Sequence, residues 1–185
     1  MRSIAIIHRT FLAAVSIGLG VSAHAGNLLS NSGFETGGLA PWTSSDWQVV
    51  SDQAYSGTYS AKVVGNYAIQ QSFAPASTAN ISEVSVWLKQ DPAAISYVAL
   101  QYSDFSESYT LAMPTNTGWN NYDLTGLMTP GKTAVGFVVY GYSGGSNGPT
   151  WIDDAKVVAA VPEPGTIAAL GLGAAAMLRR RRAAR

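Results

Sequence analysis

Between Gly26 and Ala160 the chain carries ten carboxylates and four lysines, with no cysteine and no histidine; both histidines of the 185-residue sequence, His8 and His24, lie in its first 25 residues. Their absence from this stretch removes Ser-His-Asp and Cys-His nucleophilic machinery, the usual zinc sites, c-type haem attachment and any disulfide framework. Two kinds of chemistry remain. Carboxylates can cleave a glycosidic bond in pairs or ligate a hard cation. Aromatic rings can stack on the C–H faces of sugars while amide and ammonium groups bond hydroxyls. The charge balance of 26–160 is −6, which argues against nucleic acid as a partner because phosphate binding needs a cationic surface.

The aromatic candidates fall at strand spacing. Val84, Val86 and Leu88 alternate with Ser85, Trp87 and Lys89, so one face of that segment is apolar and the other presents an indole beside an ammonium. Tyr140 and Tyr142 oppose Phe137 and Val139, and Tyr97 and Gln101 oppose Val98, Leu100 and Tyr102. Sharing one outer face, Trp87, Lys89, Tyr97, Gln101, Tyr140 and Tyr142 would make a shallow sugar platform; strand propensity and cross-strand pairing also enrich these residue types. Trp42, Trp47, Trp119 and Trp151 read as edge or core anchors. For hydrolysis the candidates are Glu35, Glu83, Glu107 and seven aspartates. Asp104 and Glu107 sit in a hairpin-like stretch, Ser103-Asp104-Phe105-Ser106-Glu107-Ser108, where charges are ordinarily solvated, so the expectation is a protein that is not an enzyme.

The elements that must position these groups are short strands. Segments rich in Val, Ile, Tyr, Trp and Thr recur between Gly, Asn, Ser and Pro clusters, and no stretch of 26–160 sustains a 3.6-residue period. Strands are expected at 47–51, 60–64, 68–73, 81–90, 96–103, 109–113, 120–123, 135–142 and 150–158. Nine short strands in one domain-sized stretch predict an all-β chain folded as a single β-sandwich. Ser143-Gly144-Gly145-Ser146-Asn147-Gly148-Pro149 reads as a loop between two of them.

Both ends of the chain read as addresses. Arg2 and Arg9 precede an apolar stretch at 10–21, and Ala23 and Ala25 supply the small residues of a signal-peptidase site, so residues 1–25 are expected to be a signal peptide and 26–160 the exported domain. At the other end Pro162-Glu163-Pro164 is followed by an uncharged run at 165–178 and then Arg179-Arg180-Arg181-Arg182. Fourteen helical residues rise roughly 21 Å, short of a hydrocarbon core about 30 Å thick. The arginines would hold their end on the cytoplasmic side. This order resembles the PEP-CTERM sorting signal, by which exosortases of Gram-negative, exopolysaccharide-producing bacteria process exported proteins. The resemblance implies that 161–185 is a sorting tail with exosortase as partner. It also implies transient insertion of 165–178 in the inner membrane, with the domain on the periplasmic side and then at the cell surface or in the extracellular matrix.

The exported region carries a second resemblance. Asn27-Leu28-Leu29-Ser30-Asn31-Ser32-Gly33-Phe34-Glu35 is similar to the opening of galactose-binding-like jelly rolls, which include many carbohydrate-binding modules. Further matches follow in the family's order: Pro41-Trp42, Ser56-Gly57-Thr58-Tyr59-Ser60-Ala61-Lys62-Val63, Val84-Ser85-Val86-Trp87-Leu88-Lys89, Val135-Gly136-Phe137-Val138-Val139-Tyr140 and Trp151-Ile152-Asp153-Asp154-Ala155-Lys156-Val157. In such domains the Glu of the opening motif and an Asp of the closing strand commonly hold a structural Ca²⁺. The resemblance therefore implies Glu35 with Asp153 or Asp154 as ligands, and Asp52, just upstream of the Ser-Gly loop, as a further candidate; strand alternation leaves open which of the two aspartates ligates. The leading functional expectation is a non-catalytic exported domain that binds or organises extracellular polysaccharide. A structural or adhesive matrix protein without a sugar site stands second and a small carboxylate-dependent hydrolase third.

Overall fold

The computed structural model describes residues 23–90, 94–113, 117–141 and 148–162. The strands are β1 (Ala23–Asn27), β2 (Thr43–Ser44), β3 (Gln48–Val50), β4 (Ser60–Val64), β5 (Ala68–Ser77), β6 (Ile81–Gln90), β7 (Ser96–Tyr102), β8 (Glu107–Ala112), β9 (Asn120–Asp123), β10 (Thr133–Tyr140) and β11 (Pro149–Pro162). One sheet runs β3-β4-β11-β6-β9 with β1 also paired to β11; the other runs β2-β5-β10-β7-β8. All described pairings given a register are antiparallel.

The inward residues of the two sheets form one core. Val84, Val86 and Leu88 of β6, Ile152, Ala155 and Val157 of β11, Val98, Leu100 and Tyr102 of β7, Phe137 and Val139 of β10 and Ile69 of β5 belong to it, with Phe34, Trp42 and Trp47 filling its ends. This is the period-2 alternation the sequence shows, and it makes the fold the expected all-β sandwich. Trp42 and Trp47 are core residues. β1 and β2 have no counterpart among the expected strands; β2 spans only two residues, too few to leave a periodicity.

β1 begins at Ala23 and so includes both alanines of the expected cleavage site. The bonds that fasten the N-terminal segment come after them. Asn27 bonds Ala155 O and Val157 N–H through its side chain, Leu28 N–H donates to Val157 O, and Ala155 N–H donates to Ser32 O. As β11 advances from Ala155 to Val157 its partner retreats from Ser32 to Leu28, so the two segments are antiparallel. No helix among the described residues is long and apolar enough to cross a membrane; the apolar run 165–178 and Arg179, Arg180, Arg181 and Arg182 lie outside them, as do Glu163 and Pro164.

Candidate functional site

The outer face of the β2-β5-β10-β7-β8 sheet carries an open aromatic patch. Because Val98 and Leu100 point inward, Tyr97, Ala99 and Gln101 point out, and the register sets Tyr97 opposite Leu111, Ala99 opposite Tyr109 and Gln101 opposite Glu107. On the other flank Tyr140 pairs with Tyr97 and Val138 with Ala99. Tyr97, Ala99, Glu107, Tyr109 and Tyr140 line a depression of about 190 Å³. Its rings are accessible, with Tyr97 40% and Tyr109 59% exposed, their centroids 6.2 Å apart and their planes tilted by 54°.

Polar groups are held beside these rings. Glu107 Oε1 accepts from Gln101 Nε2 at 2.9 Å and from the Tyr140 hydroxyl at 3.1 Å. Burial, then the Glu107 charge and hydrogen bond, push the Tyr140 phenol above its ordinary value, so it stays protonated and donates. Gly136 makes room for the network: a Cβ there would stand 2.8 Å from Gln101 Oε1. The face continues past β10. Val138 pairs with Gln70, and Gln70 with Thr43; Thr43, Ser44, Ser45, Ala68 and Gln70 line a second depression of about 370 Å³. The row Thr43–Gln70–Val138–Ala99–Tyr109 thus crosses five strands, roughly 19 Å at about 4.8 Å per strand.

Trp87 and Lys89 are on the other sheet. β6 and β7 are neighbours in sequence but cross from one layer to the other, so outward residues on the two strands face opposite sides of the sandwich. The structure therefore brings together Tyr97, Gln101 and Tyr140 and separates them from Trp87 and Lys89; Tyr142 lies outside the described residues. The Trp87 ring is stacked under Tyr55, with centroids 3.8 Å apart and planes 13° from parallel, and Trp119 meets Tyr55 edge-on at 6.0 Å. Lys89 Nζ donates to Gln53 Oε1 at 2.6 Å. Lys62 and Lys89 lie 4.9 and 5.7 Å from the Trp151 ring centroid. Asp52 takes a hydrogen bond from Trp151 Nε1 at 3.1 Å and pairs with Lys62 at 2.6 Å, and that ammonium foremost holds its carboxyl below the usual range.

Asp52 is thereby engaged away from the other acidic candidates, which gather at Gly33. A Cβ at Gly33 would lie 3.1 Å from Asp154 Oδ1, 3.5 Å from Asp153 Oδ1 and 3.9 Å from Glu35 Cγ. Asp153 is fully buried. Its Oδ2 accepts from Tyr55 N–H at 2.8 Å and Ser56 N–H at 3.1 Å, and Oδ1 from Asp154 N–H at 2.7 Å. Burial outweighs these bonds and pushes its carboxyl up to about 6. Glu35 accepts from Thr58 and Tyr59 N–H at 3.0 and 2.9 Å. Gly57, at φ +62°, allows this approach, since a Cβ there would fall 2.5 Å from the Glu35 carboxyl carbon. The two carboxylates thus hold opposite ends of loop 55–59. Among the described residues no three His, Cys, Asp or Glu side chains converge closely enough to hold a metal by themselves. The Asp153 and Asp154 oxygens beside Gly33 are of the hard kind Ca²⁺ takes, whereas Glu35 presents its Cγ there and turns its carboxylate to Thr58 and Tyr59, so most ligands would have to be backbone carbonyls.

Residues 26–150 match a carbohydrate binding domain family. The chain belongs to this family. Residues 160–182 match the PEP-CTERM protein-sorting motif, which marks an exported protein with a C-terminal sorting tail. Among solved structures the carbohydrate binding domain is similar to TmCBM61, solved with β-1,4-galactotriose, at 20% identity and a TM-score of 0.56, covering 75% of this chain and 99% of that one. A family 16 carbohydrate binding module-2 matches at 21% and 0.56, covering 70% and 98%. The CBM22-1 xylan-binding domain of Paenibacillus barcinonensis Xyn10C matches at 17% and 0.51, covering 77% and 99%. These likenesses establish the jelly-roll fold. No curated protein sequence matches.

Sequence reading did not place Tyr109 and Glu107 beside Tyr97 and Tyr140 on this face. Glu107 opens β8 and is not a loop residue, and Glu107, Tyr109 and Leu111 form the outward half of a period-2 pattern against Ser108 and Ala112, which are buried.

Proposed function

We propose that the protein is exported, held by its tail for exosortase processing, and binds extracellular polysaccharide without cleaving it, through the outer face of the β2-β5-β10-β7-β8 sheet. The observation that carries this is the open pair Tyr97 and Tyr109 beside the Gln101–Glu107–Tyr140 network. The rings offer stacking planes, and the amide, carboxylate and phenol are already oriented to exchange hydrogen bonds with sugar hydroxyls. The roughly 19 Å row across five strands suits an extended glycan lying across the strands, with its tyrosine half on β7, β8 and β10 and its amide and hydroxyl half at Gln70, Thr43 and Ser44. Hydrolysis would need a second carboxyl across the bond. Glu107 is the single carboxylate lining the tyrosine depression, and two donors already engage it. That TmCBM61 was solved with a galactotriose and the CBM22-1 domain is called xylan-binding supports glycans as the ligand class.

A structural Ca²⁺ is part of the proposal. Glu35, Asp153 and Asp154 surround Gly33, whereas Asp52 is committed to Lys62 and Trp151. The ion would neutralise the buried Asp153 carboxylate and fasten loop 55–59; it has no part in holding sugar.

The test is affinity electrophoresis and calorimetry of residues 26–161 against soluble exopolysaccharides, xylan and β-1,4-galactan, with a Tyr97→Ala/Tyr109→Ala double variant. Saturable binding to at least one glycan, lost in the double variant at unchanged thermal stability, is expected. Absence of binding to every glycan, matrix from the producing cells included, would contradict the reading and favour an adhesive role.

A further inference from the structure

The two ends of the sandwich differ in what they join and what they expose. β11 finishes at Pro162 beside the start of β6, since Ala159 pairs with Ile81. The 3-10 turn Thr78–Asn80 joins the end of β5 to that start, and Thr78 N–H donates to Lys132 O. The β7–β8 turn reaches the same end, where Ser103 N–H donates to Thr133 O and Lys132 pairs with Asp104. The second 3-10 turn, Thr125–Leu127, follows β9 there, with Leu124 N–H on Val84 O. Thr78, Ala79, Thr125, Met128, Pro130 and Gly131 line one depression between these turns.

Two residues at this end are out of place for a solvated cap. Phe105, at the tip of the β7–β8 turn, is 98% exposed and sits at φ +65°. That left-handed conformation is one that glycine or asparagine adopts without the cost a bulky side chain incurs. Leu127 is 52% exposed. Phe34, at φ +60°, is offset by complete burial in the core, whereas the Phe105 ring is left in solvent with no packing inside the domain to offset the strain. The exposed polar groups of the turn cancel, because the Lys132 ammonium is paired with Asp104.

What lies beyond this end is set by the chain. From Pro162 three residues lead to Gly165, the first of the apolar run 165–178, and three residues span at most about 11 Å. We propose that this end of the sandwich is a bilayer-contact surface: while the tail is held in the membrane, the Phe105 ring and the Leu127 side chain enter the headgroup region of the same leaflet. This rests on the reading of 165–178 as membrane-inserted. Aromatic and leucine side chains are the usual apolar contacts of interfacial segments. With Lys132 neutralised, the contact is apolar and insensitive to the anionic lipid fraction. The end of the sandwich where β10 finishes at Tyr140, opposite Phe105 and Leu127, would then be directed away from the leaflet.

The chain has no cysteine, so single positions can be labelled. The full chain is reconstituted in phosphatidylethanolamine/phosphatidylglycerol vesicles with an environment-sensitive fluorophore on Phe105→Cys, Leu127→Cys or, at the opposite end, Tyr67→Cys. Expected are a blue shift, loss of iodide quenching and quenching by headgroup-proximal spin-labelled lipid at positions 105 and 127 but not 67. Adding Phe105→Gly to the Leu127→Cys chain should abolish the shift at 127 while keeping or raising the melting temperature; a structural role for the ring would instead lower it. Vesicle flotation separates the two premises. Chains that fail to float overturn the tail reading and the contact with it. Chains that float with residue 105 as aqueous as residue 67 overturn the contact alone, as does a blue shift that appears only when exosortase is present in the vesicles.

Discussion

The two outer faces of this sandwich both combine aromatic rings with polar side chains, but they differ in what lies over the rings. One has Tyr97, Tyr109, Tyr140, Gln101 and Glu107; the other has Tyr55, Trp87, Trp119, Trp151, Gln53, Lys62, Lys89 and Asp52. On the first, the two outermost rings stand in solvent around a depression. On the second, a loop of the chain itself has taken the stacking position: Tyr55 lies on Trp87 at 3.8 Å, and Gln53 and Asp52 take the lysine hydrogens. The tryptophan face is covered by the chain's own loop, and the tyrosine face is left uncovered. Aromatic and polar content therefore does not mark a sugar site until it is known whether the chain covers it.

The largest effect expected from this contrast is on stability. Trp87→Ala should destabilise the domain by about 3 kcal/mol, toward the low end for a large aromatic because the ring is only half-buried, while leaving glycan affinity unchanged. Chemical denaturation beside a binding isotherm checks both, and a stable variant that no longer binds sugar would reverse the assignment of the faces.

The loop that closes the tryptophan face is tied down by Asp153, so that face should respond to pH where the tyrosine face does not. Burial raises the folded Asp153 carboxyl to about 6 from an unfolded 3.8. Between these values the folded chain holds a proton that the unfolded chain has released, so this group's contribution falls as pH rises from about 4 to 6 and is flat above. The full swing is roughly 2–3 kcal/mol. In chelator, the difference in stability between wild type and Asp153→Asn should follow that slope; in Ca²⁺ it should flatten. A difference that grows in the wild type's favour as pH rises, without the ion, would show that burial does not govern this carboxyl.

Glu35→Ala removes the acceptor of two backbone N–H groups from the other end of the loop, and about 2 kcal/mol of stability should go with it. Melting curves should show a greater loss in Ca²⁺ than in chelator; an equal loss would leave Glu35 as a loop clamp and nothing more. The smallest effect is on the open face. Glu107→Gln keeps the shape of the network but removes its charge, so affinity should change by a few-fold and stability by less than about 0.5 kcal/mol; a loss of folding would mean that the network is structural.

Much of the fold was legible because alternation is a local signal. The predicted strands 60–64, 81–90 and 120–123 coincide with β4, β6 and β9, and Val84, Val86 and Leu88 are core as their spacing requires. The grouping of residues on the candidate face was half legible for a physical reason. Alternation says which residues leave the core, but not which of two sheets a strand joins, so Trp87 and Tyr97 read alike although they face opposite directions. Nor does it reveal that Tyr55, from a loop with no periodicity, would cover Trp87. The acidic groups fared differently. The opening and closing segments of the domain do run side by side, which brings Glu35, Asp153 and Asp154 into one neighbourhood, but among the described residues no three acidic side chains converge. Asp52, chosen for its nearness in sequence to the Ser-Gly loop, is drawn instead to Lys62, its neighbour across the adjoining strands.

The most direct test of the open and closed faces is a side-by-side calorimetric titration of wild type, Tyr109→Ala and Trp87→Ala with a soluble polysaccharide that the wild type binds, each protein first shown to be folded at the working temperature. Loss of the Tyr109 ring should weaken binding about ten- to thirtyfold, the equivalent of about 1.5–2 kcal/mol, with Trp87→Ala equal to wild type. Unchanged affinity in Tyr109→Ala together with a marked loss in Trp87→Ala would place the sugar on the tryptophan face and contradict the account.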